Sequence, residues 1–226
     1  MLTLGIETAT HAVGVGLADE HGPIGHVEIV RGRRHAETLV PAIATLLAQT
    51  GHAYADIGMV AIDMGPGLFT GLRVGVAAAK AFALALGIPV VTATSLEILA
   101  HEVAVGRLWA GSMVSVVDAR RKEVYAQCFE VDAGVAVPSG APWVGPARSV
   151  VDRMLADGRP ALVVGDGAAR HVDVFADAAD LRCLPDASPS VAALLSFVVG
   201  RTPVHSDDVE LVYLRAPDAE INWAQR

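Results

Sequence analysis

The stretch "IGMVAIDMGPGLFTGLRVGVAAAKAFALAL", residues 57–86, constrains this chain more than any other. It opens with a short apolar run, Ile57 to Asp63, of the kind that makes a buried strand. Glycines and a proline follow, and then an almost purely apolar segment long enough for several helical turns. A strand feeding a helix through a tight turn is the unit of α/β folds. The spacing predicts a helix from Thr70 to Leu86, with Gly87 as its C-terminal stop and Pro89 just beyond. Apart from Arg73 and Lys80 that helix is apolar all round, so it has to be covered on more than one side. Lys80 and the Gly87–Pro89 break also argue against reading Val74 to Ala93 as a membrane span.

The glycine loop invites a nucleotide reading, which can be checked residue by residue. A Walker A loop carries a lysine and a Ser/Thr directly after its last glycine; here Gly71 is followed by Leu72 and Arg73. A dinucleotide fingerprint needs G-x-G-x-x-G. Gly65 and Gly67 fit, but the sixth position is Thr70 and Gly71 comes one residue late. Both motifs fail. Two readings stay open: a tight turn that needs glycine dihedrals, or an anion held by the free amides of a helix N-terminus.

Around this unit the chain alternates in a regular order. "LTLGIETA", "AVGVGLAD" and "GPIGHVEIV" read as an antiparallel meander. His35 to Gln49 repeats Leu39, Ile43, Leu46 and Leu47 at helical spacing and stops at Thr50-Gly51. "IPVVTAT" is a short strand, and Ser95 is placed to cap a helix ending near Val105. The second half echoes this with "GSMVSVVDA", "EVYAQCFEV", a strand near Val135, helix Ser149 to Ala156, strand "ALVVGDG" and helix Ser190 to Val199. Element order thus predicts a duplicated ribonuclease-H-like unit. The boundary falls near Arg107: residues 1–107 form one lobe and 108–226 a smaller one, whose tail is free to return to the first.

Gly71, Gly75 and Ala79 lie four residues apart, a ridge of small side chains that allows a close helix contact. That contact is either internal, with the helix carrying Leu39, Ile43 and Leu46, or made with another chain. The net charge of −8 opposes direct nucleic-acid binding. Arg120-Arg121-Lys122 forms a basic hairpin between Asp118 and Glu123, and Arg31, Arg33 and Arg34 precede the first helix. For these clusters a solvated turn is the simpler reading, and contact with nucleic-acid phosphate or a partner's acidic face the functional one. Cys128 and Cys183 are too few for a disulfide scaffold. The N-terminus has no basic n-region, which points to a cytoplasmic protein with no membrane partner.

"GPGLFTGLRVG" followed by "AAAKAFALALGIPV" resembles the G-P-G-S-F-T-G-L-R-x-G signature of the TsaB (YeaZ) family, and "LTLGIETAT", "VVDARRKEVYAQCF" and "VYLR" agree with it. The resemblance implies an actin-like fold of two lobes and a non-catalytic role. The family's members pair with the paralogue TsaD, which carries the active site, and are joined by the ATPase TsaE. The complex transfers threonylcarbamoyl to the adenosine next to the anticodon of ANN-decoding tRNAs. The implied interface lies on the two helices, at His35, Leu39, Ile43, Leu46, Thr70, Gly71, Arg73, Val74, Gly75, Ala78, Ala79 and Phe82. A homodimer is expected when the chain is alone, and tRNA contact only through the complex. No cofactor is expected in the isolated chain, with ATP or ADP at the complex interface.

Two positions depart from the patterns. Leu68 replaces the family's serine, and Glu7 stands where actin-like ATPases carry an aspartate. The longer Glu7 side chain would crowd a metal–phosphate site. A TsaD-type metal box needs H-x-x-x-H, but four residues after His35 comes Leu39. No catalytic or metal-binding residue is therefore expected, and no G-x-S-x-G elbow is present. The rival reading is a small-molecule kinase or ATPase of the same fold. It would hold nucleotide with Glu7, Thr8, Thr10, Gly65 and Gly67.

Overall fold

The structure is a computed structural model and describes residues 1–30, 34–156, 161–176, 178 and 180–214. The first sheet contains β1 (Leu2–Glu7), β2 (Ala12–Asp19), β3 (Gly22–Val30), β4 (Ile57–Asp63) and β5 (Val90–Ala93) in the order β3-β2-β1-β4-β5. β1, β2 and β3 are antiparallel, while β4 and β5 run parallel to β1 and to each other. The second sheet contains β6 (Gly111–Asp118), β7 (Glu123–Asp132), β8 (Val135–Pro138), β10 (Ala161–Val164) and β11 (Leu181–Leu184), and the short strand β9 (Trp143–Pro146) also pairs with β7. Its order, β8-β7-β6-β10-β11, repeats that of the first sheet strand for strand. This is the actin-like arrangement of two ribonuclease-H-like sheets.

Helices α1 (His35–Thr50) and α2 (Phe69–Leu86) cover one face of the first sheet. Each ends on a left-handed glycine, Gly51 at φ 74° and Gly87 at φ 66°. Leu4 and Ile6 of β1, Val13 and Val15 of β2, Leu39 and Ile43 of α1, and Val76 and Ala79 of α2 form this core. α2 is the one helix among the described residues with the length and apolarity of a membrane span, at 18 residues and mean hydropathy 1.5. Its Leu72, Val76, Ala79 and Ala83 are nevertheless buried within the chain.

Helix α3 (Ser95–Val105) follows β5. Its cap is Thr94 rather than the expected Ser95: the Thr94 hydroxyl accepts from Glu97 N at 3.2 Å, and the Glu97 carboxylate accepts from Thr94 N at 3.0 Å. In the second half α4 (Ala147–Ala156), α5 (Asp166–Arg170) and α6 (Val172–Ala176) precede α7 (Val191–Phe197). α7 does not complete the second half, as element order suggested. It packs on β1, β2, β3 and α3, across the first sheet from α1 and α2. Gly5 and Gly16 permit this, because a Cβ at either would run into Leu195 and Val191.

After α7 the chain continues along the first sheet. Val204 pairs with Val90 through two backbone bonds, Val209 is buried in the first core, and Val212 N donates to Met64 O at 3.0 Å. Arg31, Arg33 and the last residue of "VYLR", Arg215, lie outside the described residues.

Candidate functional site

Two turns meet where β1 and β4 end. Parallel pairing sets Ile6 beside Ile62, which brings Glu7 next to Asp63 across 56 residues of chain. Both carboxyls are buried, with Glu7 2% and Asp63 0% exposed. Asp63 accepts from Gly65 N at 2.7 Å, and the Ser95 hydroxyl donates to both of its oxygens at 2.9 and 2.7 Å. Ser95 is therefore a ligand of this carboxylate rather than a helix cap. Glu7 accepts from Ala9 N at 2.7 Å. Burial pushes the Asp63 carboxyl up from its ordinary 3.8 to about 7, against the opposing pull of the Gly65 and Ser95 bonds. Burial and the neighbouring Asp63 charge hold Glu7 well above the usual carboxylate range.

The turns are joined directly as well. Leu68 N donates to Ala9 O at 2.6 Å, Ser95 N to Gly65 O at 2.9 Å, and His35 Nε2 to Thr10 O at 3.0 Å. The first turns of α1 and α2 are thereby tied to the β1–β2 turn. Leu68, at the N-cap of α2, supplies no side-chain cap.

The nucleotide candidates are only partly gathered. A cleft of about 50 Å³ between the two sheets is lined by Thr10, His11, Gly67, Leu68, Asp118, Arg120 and Asp166, among others. Gly67 and Thr10 reach it; Glu7, Thr8 and Gly65 do not line it. The Thr8 hydroxyl points into the protein and is buried without a hydrogen-bond partner. Pockets that enclose a drug-sized ligand hold roughly 300–1,000 Å³. At the rim, Arg120, Arg121 and Lys122 all have left-handed backbone, at φ 61°, 52° and 65°. The Asp118 carboxylate steadies this hairpin by accepting from Arg120 N at 2.9 Å.

The small-residue ridge of α2 faces inward, which corrects its reading as a surface for another chain. A Cβ on Gly75 would collide with Thr8 Oγ1 and meet Ile62 Cδ1 at 3.3 Å. One on Gly71 would run into Thr8 O and reach His35 Nε2 at 3.0 Å. The close contact that the ridge permits is with the chain's own β1–β2 turn. His35, Leu39, Ile43, Leu46, Gly71, Gly75 and Ala79 are all buried, so these seven proposed interface residues belong to the monomer core. Thr70 and Arg73 are exposed, and Val74, Ala78 and Phe82 half-buried. The outward stripe of α2 is Arg73, Ala77, Ala81 and Leu84, and that of α1 is Val40, Ala44 and Ala48. Leu84 is 81% and Val40 51% exposed. Of these residues sequence reasoning named only Arg73 for the interface, yet the outward stripes recur at the same helical steps as the inward ones.

Fold and topology thus define an actin-like protein of two ribonuclease-H-like halves whose paired helices α1 and α2 carry an uncovered apolar face. Residues 25–182 match the family model for TsaD, tRNA N6-adenosine threonylcarbamoyltransferase. The chain is 38% identical over 219 residues to an uncharacterized protein of Mycobacterium tuberculosis, covering 96% of this chain and 93% of that protein. It is 29% identical to the tRNA threonylcarbamoyladenosine biosynthesis protein TsaB of Bacillus subtilis, covering 100% and 99%. Among solved structures, YeaZ from Pseudomonas aeruginosa superposes with a TM-score of 0.80 at 27% identity, covering 94% of this chain and 99% of that one. The chain belongs to the TsaB (YeaZ) family.

Proposed function

We propose that this protein serves threonylcarbamoyladenosine formation in tRNA as a non-catalytic subunit that docks a TsaD-type paralogue through the outward faces of α1 and α2. The observation that carries this reading is the apolar stripe of Val40, Ala44, Ala77, Ala81 and Leu84 left uncovered on two neighbouring helices. Large exposed aliphatic side chains on a helix pair mark an association surface. The alanines beside them leave room for a partner helix to approach. Within the same reading, the chain pairs with itself through this face when alone, a TsaE-type ATPase joins the pair, and ATP or ADP sits at the joint. Contact with tRNA is then made through the complex, in the cytoplasm.

The test is Leu84→Glu. Leu84 is 81% exposed, so the monomer should melt as the wild type does. Loss of a central apolar anchor commonly costs about 1–2 kcal/mol of binding or more, roughly five- to thirtyfold in Kd. Sedimentation with the TsaD-type partner, and of the chain alone, reads both forms of association. Unchanged association in both would sink the proposal.

A further inference from the structure

Glu7 and Asp63 form a buried acid pair, and among the described residues no cation forms an ion pair with either. The groups that face the pair can be named element by element. From β3 comes Glu28 and from α3 Glu97, both of which add negative charge. α7 presents Val191, which with the Glu7 Cβ crowds Gly14. α2 turns Gly71 and Gly75 toward the adjacent turn, and α1 supplies His35, whose Nε2 is committed to Thr10 O. Arg201 meets Glu97 at 3.8 Å, and among the described residues no lysine or arginine pairs with Glu7 or Asp63 themselves. Two adjacent carboxylates out of water, without a counter-charge, are expensive, and such pairs resolve the conflict by keeping a proton.

The bonds at the pair explain what a retained proton would protect. Asp63 gathers Gly65 N and Ser95 Oγ, while Glu7 gathers Ala9 N. Ala9 O in turn receives Leu68 N, the residue that starts α2, and Thr10 O receives His35 of α1. If both acids were ionised, their repulsion would act along β1 and β4 at the point where the two turns are stitched together. The helix starts would then move with the turns.

We propose that the buried Glu7–Asp63 pair keeps one proton at neutral pH and acts as a latch that holds the first turns of α1 and α2 in their docking geometry. Removing the proton to hydroxide leaves two facing carboxylates and releases the turns. The latch rests on the proposed docking role of α1 and α2 for its consequence, but not for its proton.

Two measurements separate the parts. Infrared titration of the full chain should show a protonated carboxyl at neutral pH that disappears on alkaline titration and is absent from Glu7→Gln. Asp63→Asn, which keeps an acceptor for Gly65 N and Ser95 Oγ, provides a second variant should Glu7→Gln fold poorly. Association with the TsaD-type partner, or self-association, should weaken as pH rises past neutral. One linked proton limits this to about tenfold per pH unit. Either amide variant should remove the slope. Three results overturn the proposal: no carboxyl band assignable to the pair, a tightly held metal ion found by elemental analysis in the proton's place, or association with the same pH slope in wild type and variants. If the chain associates with nothing, the docking role fails, and the infrared band still decides whether the pair keeps its proton.

Discussion

Gly75→Ala should destabilise the monomer although alanine is the better helix former. Gly75 lies mid-helix in α2, where alanine gains about 1 kcal/mol over glycine. Against this, the new methyl would collide with Thr8 Oγ1 and lie 3.4 Å from Thr8 Cβ and 3.3 Å from Ile62 Cδ1. Thr8 is 0% exposed and Ile62 likewise, so neither can swing into solvent. Overpacking a closed site costs about 1–3 kcal/mol. The Thr8 hydroxyl has no hydrogen bond to lose, so turning it away carries only a rotamer cost. The net expectation is a loss of up to about 2 kcal/mol. For a domain of this size that is a fall in Tm of up to roughly 8 °C. Thr8→Ala alone should be close to neutral, since it removes an unpartnered buried hydroxyl together with a methyl. Combined with Gly75→Ala it should restore most of the lost stability, a coupling that thermal melts of all four proteins measure as a double-mutant cycle. The folded Gly75→Ala protein should associate normally, because Gly75 faces inward. A Tm at or above wild type, or no rescue by Thr8→Ala, would refute the reasoning.

Stability should also depend on pH through Asp63. Its folded-state pKa of about 7 lies above its ordinary 3.8, so the folded protein holds this proton more tightly than the unfolded chain. The contribution is therefore complete below about pH 4 and lost as pH rises through 7, with a ceiling of about 4 kcal/mol. Denaturant melts across that window should show the loss, and Asp63→Asn should flatten it. Ser95→Ala removes the hydroxyl that serves both Asp63 oxygens and should cost about 1–3 kcal/mol in the same melts. Thr94→Ala breaks the α3 capping box and should cost about 1 kcal/mol. Lys122→Gly relieves a left-handed residue at φ 65° and should raise Tm, by about 1 kcal/mol of stability, in a thermal scan.

Much of the architecture is local and so was legible in the chain. Alternation along Leu2–Glu7 and Ala12–Asp19, the Leu39/Ile43/Leu46 period and the stops at Gly51 and Gly87 place strands and helices without reference to anything distant. The doubled element order announced the doubled sheet. Side choice was not legible. α2 is apolar nearly all round, so its period reveals a ridge but not which neighbour fills it; only the fold shows that Thr8 and His35 lie against Gly71 and Gly75. The same ambiguity assigned the core stripe of α1 to the interface, when Val40, Ala44 and Ala48 face outward. Nor could local pattern foresee that α7 leaves the second half, since that depends on glycines of β1 and β2 far back in the chain. The Glu7–Asp63 pair is the clearest case. Each acid alone reads as the polar end of a strand, and they become one buried site because β4 joins β1 in parallel register, a pairing that no short stretch of sequence encodes.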